Sequence, residues 1–166
     1  MLDFTIGTSG NTIARALAHD AKTIATEIQR VVVAAPQTIQ LSILGLLAEG
    51  HILLEDVPGV GKTLLGKTLS GAIACDFKRI QFTPDLLPTD ITGTTVFDMK
   101  NSTFNFVQGP IFSNIVLADE INRTGPRTQA ALLEAMAEHQ VSIEGDVIKL
   151  PSPFMVIATQ NLSESH

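Results

Sequence analysis

Between a short apolar run, Ile52 to Leu54, and a helical pattern through Leu64, Leu65, Leu69 and Ile73, the chain reads Pro58-Gly59-Val60-Gly61-Lys62-Thr63. Pro58, Gly59 and Gly61 let the backbone curl so that successive N–H groups point inward. A helix starting near Gly61 adds the positive end of its dipole to the same spot. Lys62 supplies a flexible point charge for the outer phosphates of a nucleotide, and the Thr63 hydroxyl is a hard oxygen suited to magnesium. Nucleotide contacts are therefore expected at Pro58, Gly59, Val60, Gly61, Lys62, Thr63 and Leu64, with Lys62 also acting on the reacting phosphate. The spacing G-x-x-x-x-G-K-[ST] asks for glycine five residues before Gly61, where Asp56 stands. A Gly-rich strand-to-helix turn that binds nothing is the alternative at this point.

A second group follows the apolar run Ile115 to Ala118, which ends in Asp119-Glu120. A carboxylate at a strand end suits magnesium, usually held through water beside a hydroxyl such as that of Thr63, and this role falls to Asp119. Glu120 leaves the strand at another angle and could polarise a water lined up behind the terminal phosphate. Asn161, just past the apolar run Phe154 to Ala158, could orient that water or touch the terminal phosphate without adding charge. A helix cap for Asp119-Glu120 and a turn residue for Asn161 are the plain alternatives. Arg123 and Arg127 are either solvated charges or groups facing a neighbouring subunit's nucleotide. The four histidines have no metal-ligand spacing, and His51 reads as a residue at a strand start.

The elements that must position these groups alternate. Ile13, Leu17, Ala21, Ile24, Ile28 and Val31 recur at three or four, predicting an amphipathic helix over Thr12 to Val33. A second helix is predicted over Gln37 to Ala48, between Pro36 and Gly50. Strands are expected at Ile52 to Leu54, Phe77 to Phe82, Ile115 to Ala118 and Phe154 to Ala158, with helices to about Ala74 and over Thr128 to His139. Alternation around Lys100-Asn101-Ser102 and around Glu144-Gly145-Asp146 predicts two β-hairpins. The Pro-rich segment 84–93 allows one turn, with Asp85 and Asp90 as caps. Continuous apolar strands alternating with helices predict an α/β fold with a mainly parallel sheet and ligands at the strands' carboxyl ends.

The chain has 166 residues, 45% of them apolar, enough for one domain with a real core. Eleven basic and seventeen acidic residues give a net charge of -6, and Trp and Tyr are absent, so neither a basic face nor stacking platforms favour nucleic acid. A lone Cys75, expected as a small core filler at a helix end, fits a reducing compartment. No signal-peptide pattern or long apolar run occurs, so a cytosolic protein without membrane insertion is expected.

The segments LLEDVPGVGKT (53–63), QFTPDLLPTDITG (81–93), GPIFSNIVLADEINR (109–123), TQAALLEAMAEHQV (128–141) and PFMVIATQN (153–161) resemble the MoxR family of AAA+ ATPases over nearly the whole chain. Asp at position 56 is normal for that family. The resemblance implies a three-layer P-loop core at residues 51–161, preceded by N-terminal helices at 1–50, with two inserted hairpins. Gly59 to Thr63 then correspond to the Walker A loop, Asp119 and Glu120 to the Walker B pair, and Asn161 to the first sensor. It further implies ATP and Mg2+ as cofactors, a hexameric ring with sites between subunits, and remodelling of protein clients, among them proteins with von Willebrand A-type domains. Two departures are Val33-Ala34-Ala35-Pro36-Gln37, where relatives have Val-Gly-Gln near the adenine, and Leu162 in place of proline. The family's fifth strand, arginine finger and helical lid with second sensor would lie beyond His166. The chain as given is therefore expected to bind nucleotide better than it hydrolyses it. A GTPase would carry an Asn-Lys-x-Asp motif, which is absent, and a small-molecule kinase would need a substrate lid. A non-catalytic, nucleotide-dependent assembly module is the reading from another class.

Overall fold

The computed structural model describes residues 8–55 and 61–160, with the side chains of 8–11 left aside. Short apolar runs become three strands, β1 (Ile52–Glu55), β5 (Ile115–Asp119) and β8 (Met155–Gln160), and the mixed segment FKRIQ, read from sequence as apolar, makes a fourth, β2 (Phe77–Gln81). They form one sheet in the order β1-β8-β5-β2, every neighbouring pair parallel. Parallel pairing requires crossovers, which the helices provide on both faces.

The two faces of β5 and β8 seed two cores. Ile115, Leu117, Met155 and Ile157 pack under α1 (Thr8–Val31), α2 (Pro36–Leu47) and α3 (Lys62–Ala72), chiefly against Ile28, Ile39, Ile43, Leu65 and Leu69. Val116, Ala118, Val156 and Ala158 face the other way, onto Leu132 and Ala135 of α5 (Pro126–Glu138) and onto Ile91 of the single turn α4 (Pro88–Thr92). Helix, sheet and helix thus make the three layers expected. Each fully buried Ile, Leu or Val stabilises by about 1.5–3 kcal/mol relative to exposure, so β5 and β8, sealed on both sides, anchor the sheet.

The hairpins are β3 (Gly93–Asp98) with β4 (Thr103–Gln108), and β6 (Gln140–Ile143) with β7 (Asp146–Lys149), both antiparallel. The second turns through Glu144 (φ 51) and Gly145 (φ 95), a two-residue connection with positive φ at both positions, which matches the strand twist. Gly93 is irreplaceable on steric grounds: φ is +97 and an added Cβ would lie 2.2 Å from the Val107 carbonyl oxygen. Asp90 caps α4 as expected, its carboxylate accepting from the Leu87 N–H at 2.9 Å.

Two expectations are corrected. The stripe Ile13 and Leu17 on α1 is 62% and 48% exposed rather than core. A 24-residue helix is about 36 Å long, whereas five-residue strands span about 17 Å, so only the C-terminal half of α1 can lie over the sheet. Cys75 is half-buried, not a core filler, because it sits past the end of α3 in the turn that returns to β2.

His51 does more than begin a strand. Its Nδ1 accepts the Val156 N–H at 2.9 Å and its Nε2 faces the Met136 carbonyl at 3.0 Å, so a neutral ring with the proton on Nε2 ties β1, β8 and α5 together. Burial, aided by nearby His139, holds its pKa below the ordinary value, against the opposing pull of the Met136 carbonyl. The unfolded chain then takes up this proton near pH 6.5 and the folded chain only at lower pH. The stabilisation is therefore complete above about 6.5 and is lost as pH falls through the folded value. Urea unfolding should show His51→Phe costing about 1–3 kcal/mol at pH 7.5 and progressively less toward pH 5. A difference constant across that range would refute the strut.

Candidate nucleotide site

Gly61 caps α3 in the left-handed conformation (φ 70), and Lys62 and Thr63 are the first helical residues. The first intrahelical bond shown is from Leu65 N–H to the Gly61 carbonyl at 2.8 Å, which leaves the amides of the first turn facing outward as an anion-seeking pole. Pro58, Gly59 and Val60, together with Asp56 and Val57, lie outside the described residues. Leu64 is exposed, while Lys62 and Thr63 are half-buried.

Asp119 closes β5, and its position follows from packing. It shares strand parity with Ile115 and Leu117, so its side chain emerges on the α3 face, the side on which Lys62 and Thr63 begin their helix. The same parity puts Arg79 and Gln81 of β2 and Thr159 of β8 on that face. Gln81 lies directly opposite Asp119, and Thr159 lies opposite Leu54. The carboxyl ends of four parallel strands therefore present Leu54, Thr159, Asp119 and Gln81 side by side.

Polar contacts lock this row. The buried Thr159 hydroxyl donates to Asp119 Oδ1 and accepts the Glu120 N–H at 2.9 Å. Arg79 donates to Asp119 Oδ2 from Nη2 at 2.7 Å and from Nε at 3.2 Å, and from Nη2 to Gln81 Oε1 at 2.6 Å. Gln81 Nε2 in turn donates to Glu120 Oε2 at 2.9 Å, and Arg123 Nη1 donates to the same oxygen at 2.9 Å. Glu120 itself is left-handed (φ 58, ψ 51), which costs about 1–3 kcal/mol for a non-glycine residue and turns its side chain away from the line of the strand. Arg123 stands in a short 3-10 turn, Ile121–Arg123, that the sequence did not indicate, and Arg127 is exposed at the start of α5. Asn161 lies outside the described residues, one position past Gln160, the last residue of β8.

Beside Lys62 a cavity of about 520 Å³ is lined by Val33, Ala34, Ala35 and Thr38 from the α1–α2 connection, by Leu53, Leu54 and Glu55, and by Leu65. Its size is that of small-molecule sites, and its mainly apolar walls also carry Thr38, Glu55 and Lys62. Val33 to Ala35 of the stretch that is distinctive in sequence are thus part of a concave surface adjoining the first turn of α3.

The donor set fits a small hard cation that keeps most of its water: one carboxylate and one hydroxyl are at hand, and no cluster of three His, Cys, Asp or Glu occurs among the described residues. The Asp119 carboxylate already faces positive charge, that of Arg79. Arg79, Gln81 and Thr159 were not singled out from sequence. The available signal was parity: Arg79 and Gln81 are polar at alternate positions of a strand whose partner ends in Asp119.

Thr159→Val keeps the shape of the buried side chain but removes both hydrogen bonds. It should lower unfolding stability by about 1–3 kcal/mol in urea titration, whereas Thr159→Ser, which retains both, should cost less. Equal losses would show that the methyl group and not the hydroxyl matters.

With this geometry in place, similarity to known proteins can be weighed. Residues 51–166 match the family described as "ATPase family associated with various cellular activities (AAA)". The chain is 57% identical over 134 residues to the uncharacterized protein YeaC of Bacillus subtilis, with 81% of this chain and 42% of that protein covered. It is 47% identical over 143 residues to Chaperone MoxR1 of Mycobacterium tuberculosis, with 86% and 38% covered. It therefore spans less than half the length of these curated relatives. A crystal structure named as that of a candidate ATPase from Cytophaga hutchinsonii superposes with a TM-score of 0.80 at 41% identity, over 96% of this chain and 49% of that one. No helix among the described residues is long and apolar enough to cross a membrane. Gly61-Lys62-Thr63 opening α3, Asp119-Glu120 at the end of β5 and these similarities lead to one conclusion: the chain belongs to the MoxR family of AAA+ ATPases.

Proposed function

We propose that this chain binds ATP with Mg2+ at the carboxyl edge of its sheet and hydrolyses it, as the motor part of a cytoplasmic chaperone-like machine that remodels protein clients. The observation that carries this reading is the juxtaposition of Lys62 and Thr63, opening α3, with Asp119 on the same face of the sheet, beside a cavity that ends at Lys62. The α1–α2 connection and Leu53 to Glu55 line the space for the base and sugar. The amides around Gly61 and the Lys62 ammonium hold the phosphates, with Pro58, Gly59 and Val60 completing the loop. Thr63 and Asp119 hold the magnesium, which when bound neutralises charge on the outer phosphates. Glu120 accepts a proton from the attacking water, and Asn161 orients that water and senses the terminal phosphate.

The Gln81 and Arg123 donors both hold Glu120 by Oε2 and tie its carboxylate to the surface of the sheet edge. That arrangement also favours a second reading, in which nucleotide occupancy organises assembly without turnover. Ring formation, with sites completed by a neighbouring subunit and six chains per ring, and clients that include von Willebrand A-type proteins accompany the first reading.

Equilibrium binding with a fluorescent ATP analogue separates the possibilities. Lys62→Ala should weaken binding at least about tenfold, since a charge-assisted phosphate contact is lost. Glu120→Gln should retain binding and lower any turnover by about 10²–10⁴. An unaltered ATP affinity in Lys62→Ala would end the nucleotide reading, turnover indifferent to Glu120→Gln would remove Glu120 from the chemistry, and ATP binding with no turnover in the parent would leave the assembly reading standing. GTP competing as well as ATP would displace adenine as the base.

A further inference from the structure

Asp119 carries two roles that compete. A carboxylate offers about four acceptor positions, and among the described residues three are taken: one on Oδ1 by the Thr159 hydroxyl, and both on Oδ2 by Nε and Nη2 of Arg79. Among the described residues Asp119 is the one charged partner of Arg79, whose side chain is 47% exposed while that of Asp119 is 17% exposed. It reaches Asp119 from β2, the outer strand of the sheet, two positions short of the strand end. A cation or its water arriving at Oδ2 meets a saturated oxygen and a like charge.

We propose that Arg79 is a positioning residue that stands in for the divalent cation: it holds the Asp119 carboxylate in place while the metal is absent and is displaced from Oδ2 when the metal enters. This rests on the reading of Asp119 as a magnesium-holding group. The same guanidinium fixes the amide of Gln81. Arg79 can only donate, so Gln81 must turn its oxygen toward it, and the remaining NH2 then faces Glu120 Oε2. Displacement of Arg79 removes one of the two contacts that fix the Gln81 amide, the other being its own donation to Glu120 Oε2. Lysine would not serve equally, because the planar fork makes two contacts on Oδ2 and one on Gln81 together.

The test is equilibrium binding of Mn2+ by electron paramagnetic resonance in the presence of a non-hydrolysable ATP analogue, with no turnover involved. Arg79→Met removes the competitor and should lower the half-saturating Mn2+ concentration about three- to tenfold, with Arg79→Lys falling between it and the parent. Tighter metal binding is not what general damage to the fold produces. Unchanged or weaker Mn2+ binding in Arg79→Met would overturn the stand-in role. Asp119→Asn is the separate control: it should abolish the Mn2+ site in parent and Arg79→Met alike, and a site that survives it overturns the magnesium reading and the inference with it. If Arg79→Met does not fold, the unsubstituted chain still decides. The Arg79 Nε–H signal, assigned by its absence in Arg79→Lys, should lose its hydrogen-bonded shift and exchange protection when Mg2+ and the ATP analogue are added. A signal unmoved at saturation would overturn the proposal.

Discussion

The central constraint is that β5 is covered on both faces. Ile115, Val116, Leu117 and Ala118 are all fully buried, so no polar side chain can be placed on this strand until its carboxyl end, where Asp119 appears. Which face Asp119 occupies is then decided by apolar packing. Ile115 and Leu117 belong to the core under α3, Val116 and Ala118 to the core under α5, and a one-residue slip in register would exchange them. It would also carry the carboxylate to the face away from Lys62. Burial of several large aliphatic side chains at about 1.5–3 kcal/mol each outweighs anything the surface ion pair to Arg79 contributes, so the core determines where the carboxylate stands and the polar contacts refine its rotamer.

Thr159 shows how that refinement is done at depth. A buried hydroxyl must be satisfied, and here it donates to one acidic residue while accepting from the backbone of the next. Holding the Glu120 N–H helps to support the left-handed turn that ends the strand. That turn is what separates two adjacent carboxylates, Asp119 inside the cross-strand row and Glu120 beyond it. Two acidic neighbours continuing along a straight strand would point to opposite faces of the sheet and could not serve one site. The strained residue and the buried threonine are two halves of one device.

Much of this was legible in sequence because it depends on period and punctuation. Continuous apolar runs gave the parallel strands, alternation around Lys100-Asn101-Ser102 and Glu144-Gly145-Asp146 gave both hairpins, and Gly61-Lys62-Thr63 stood where a strand-to-helix turn had to be. Three things were not legible. Periodicity tells which face a residue shares but not which strand lies beside it, so the pairing of β2 with β5, and with it Arg79 on Asp119, had no local signature. Helical period likewise grouped Ile13 and Leu17 with the buried face of α1, although both are exposed among the described residues. His51 was invisible as a strut because its partners, Val156 and Met136, are backbone groups that any residue would supply. Gly59, its loop neighbours and Asn161 fall outside the described residues, so their roles remain those argued from residue type and family.

The distribution of charge makes chemical sense of an acidic protein with an anionic ligand. The chain carries -6 overall, yet Lys62, Arg79 and Arg123 gather around Asp119 and Glu120 at one edge of the sheet. Within the proposed site three cations face three carboxylates, Asp119, Glu120 and the Glu55 of the cavity wall, whereas in the chain as a whole acidic residues outnumber basic ones. An extended polyanion spans many such lengths of surface and meets the repulsion of the whole molecule. A free nucleotide needs only the local pole, where backbone amides and an ammonium converge and the field of the helix adds to them. Arg79 and Arg123 pair with the acidic residues at the surface, where exchange for another cation is inexpensive. A site stabilised by deeply buried ion pairs would resist that exchange, since breaking them leaves an uncompensated charge out of water. Placing Arg79 on an outer strand, half in solvent, keeps the pair strong enough to orient Asp119 and weak enough to yield.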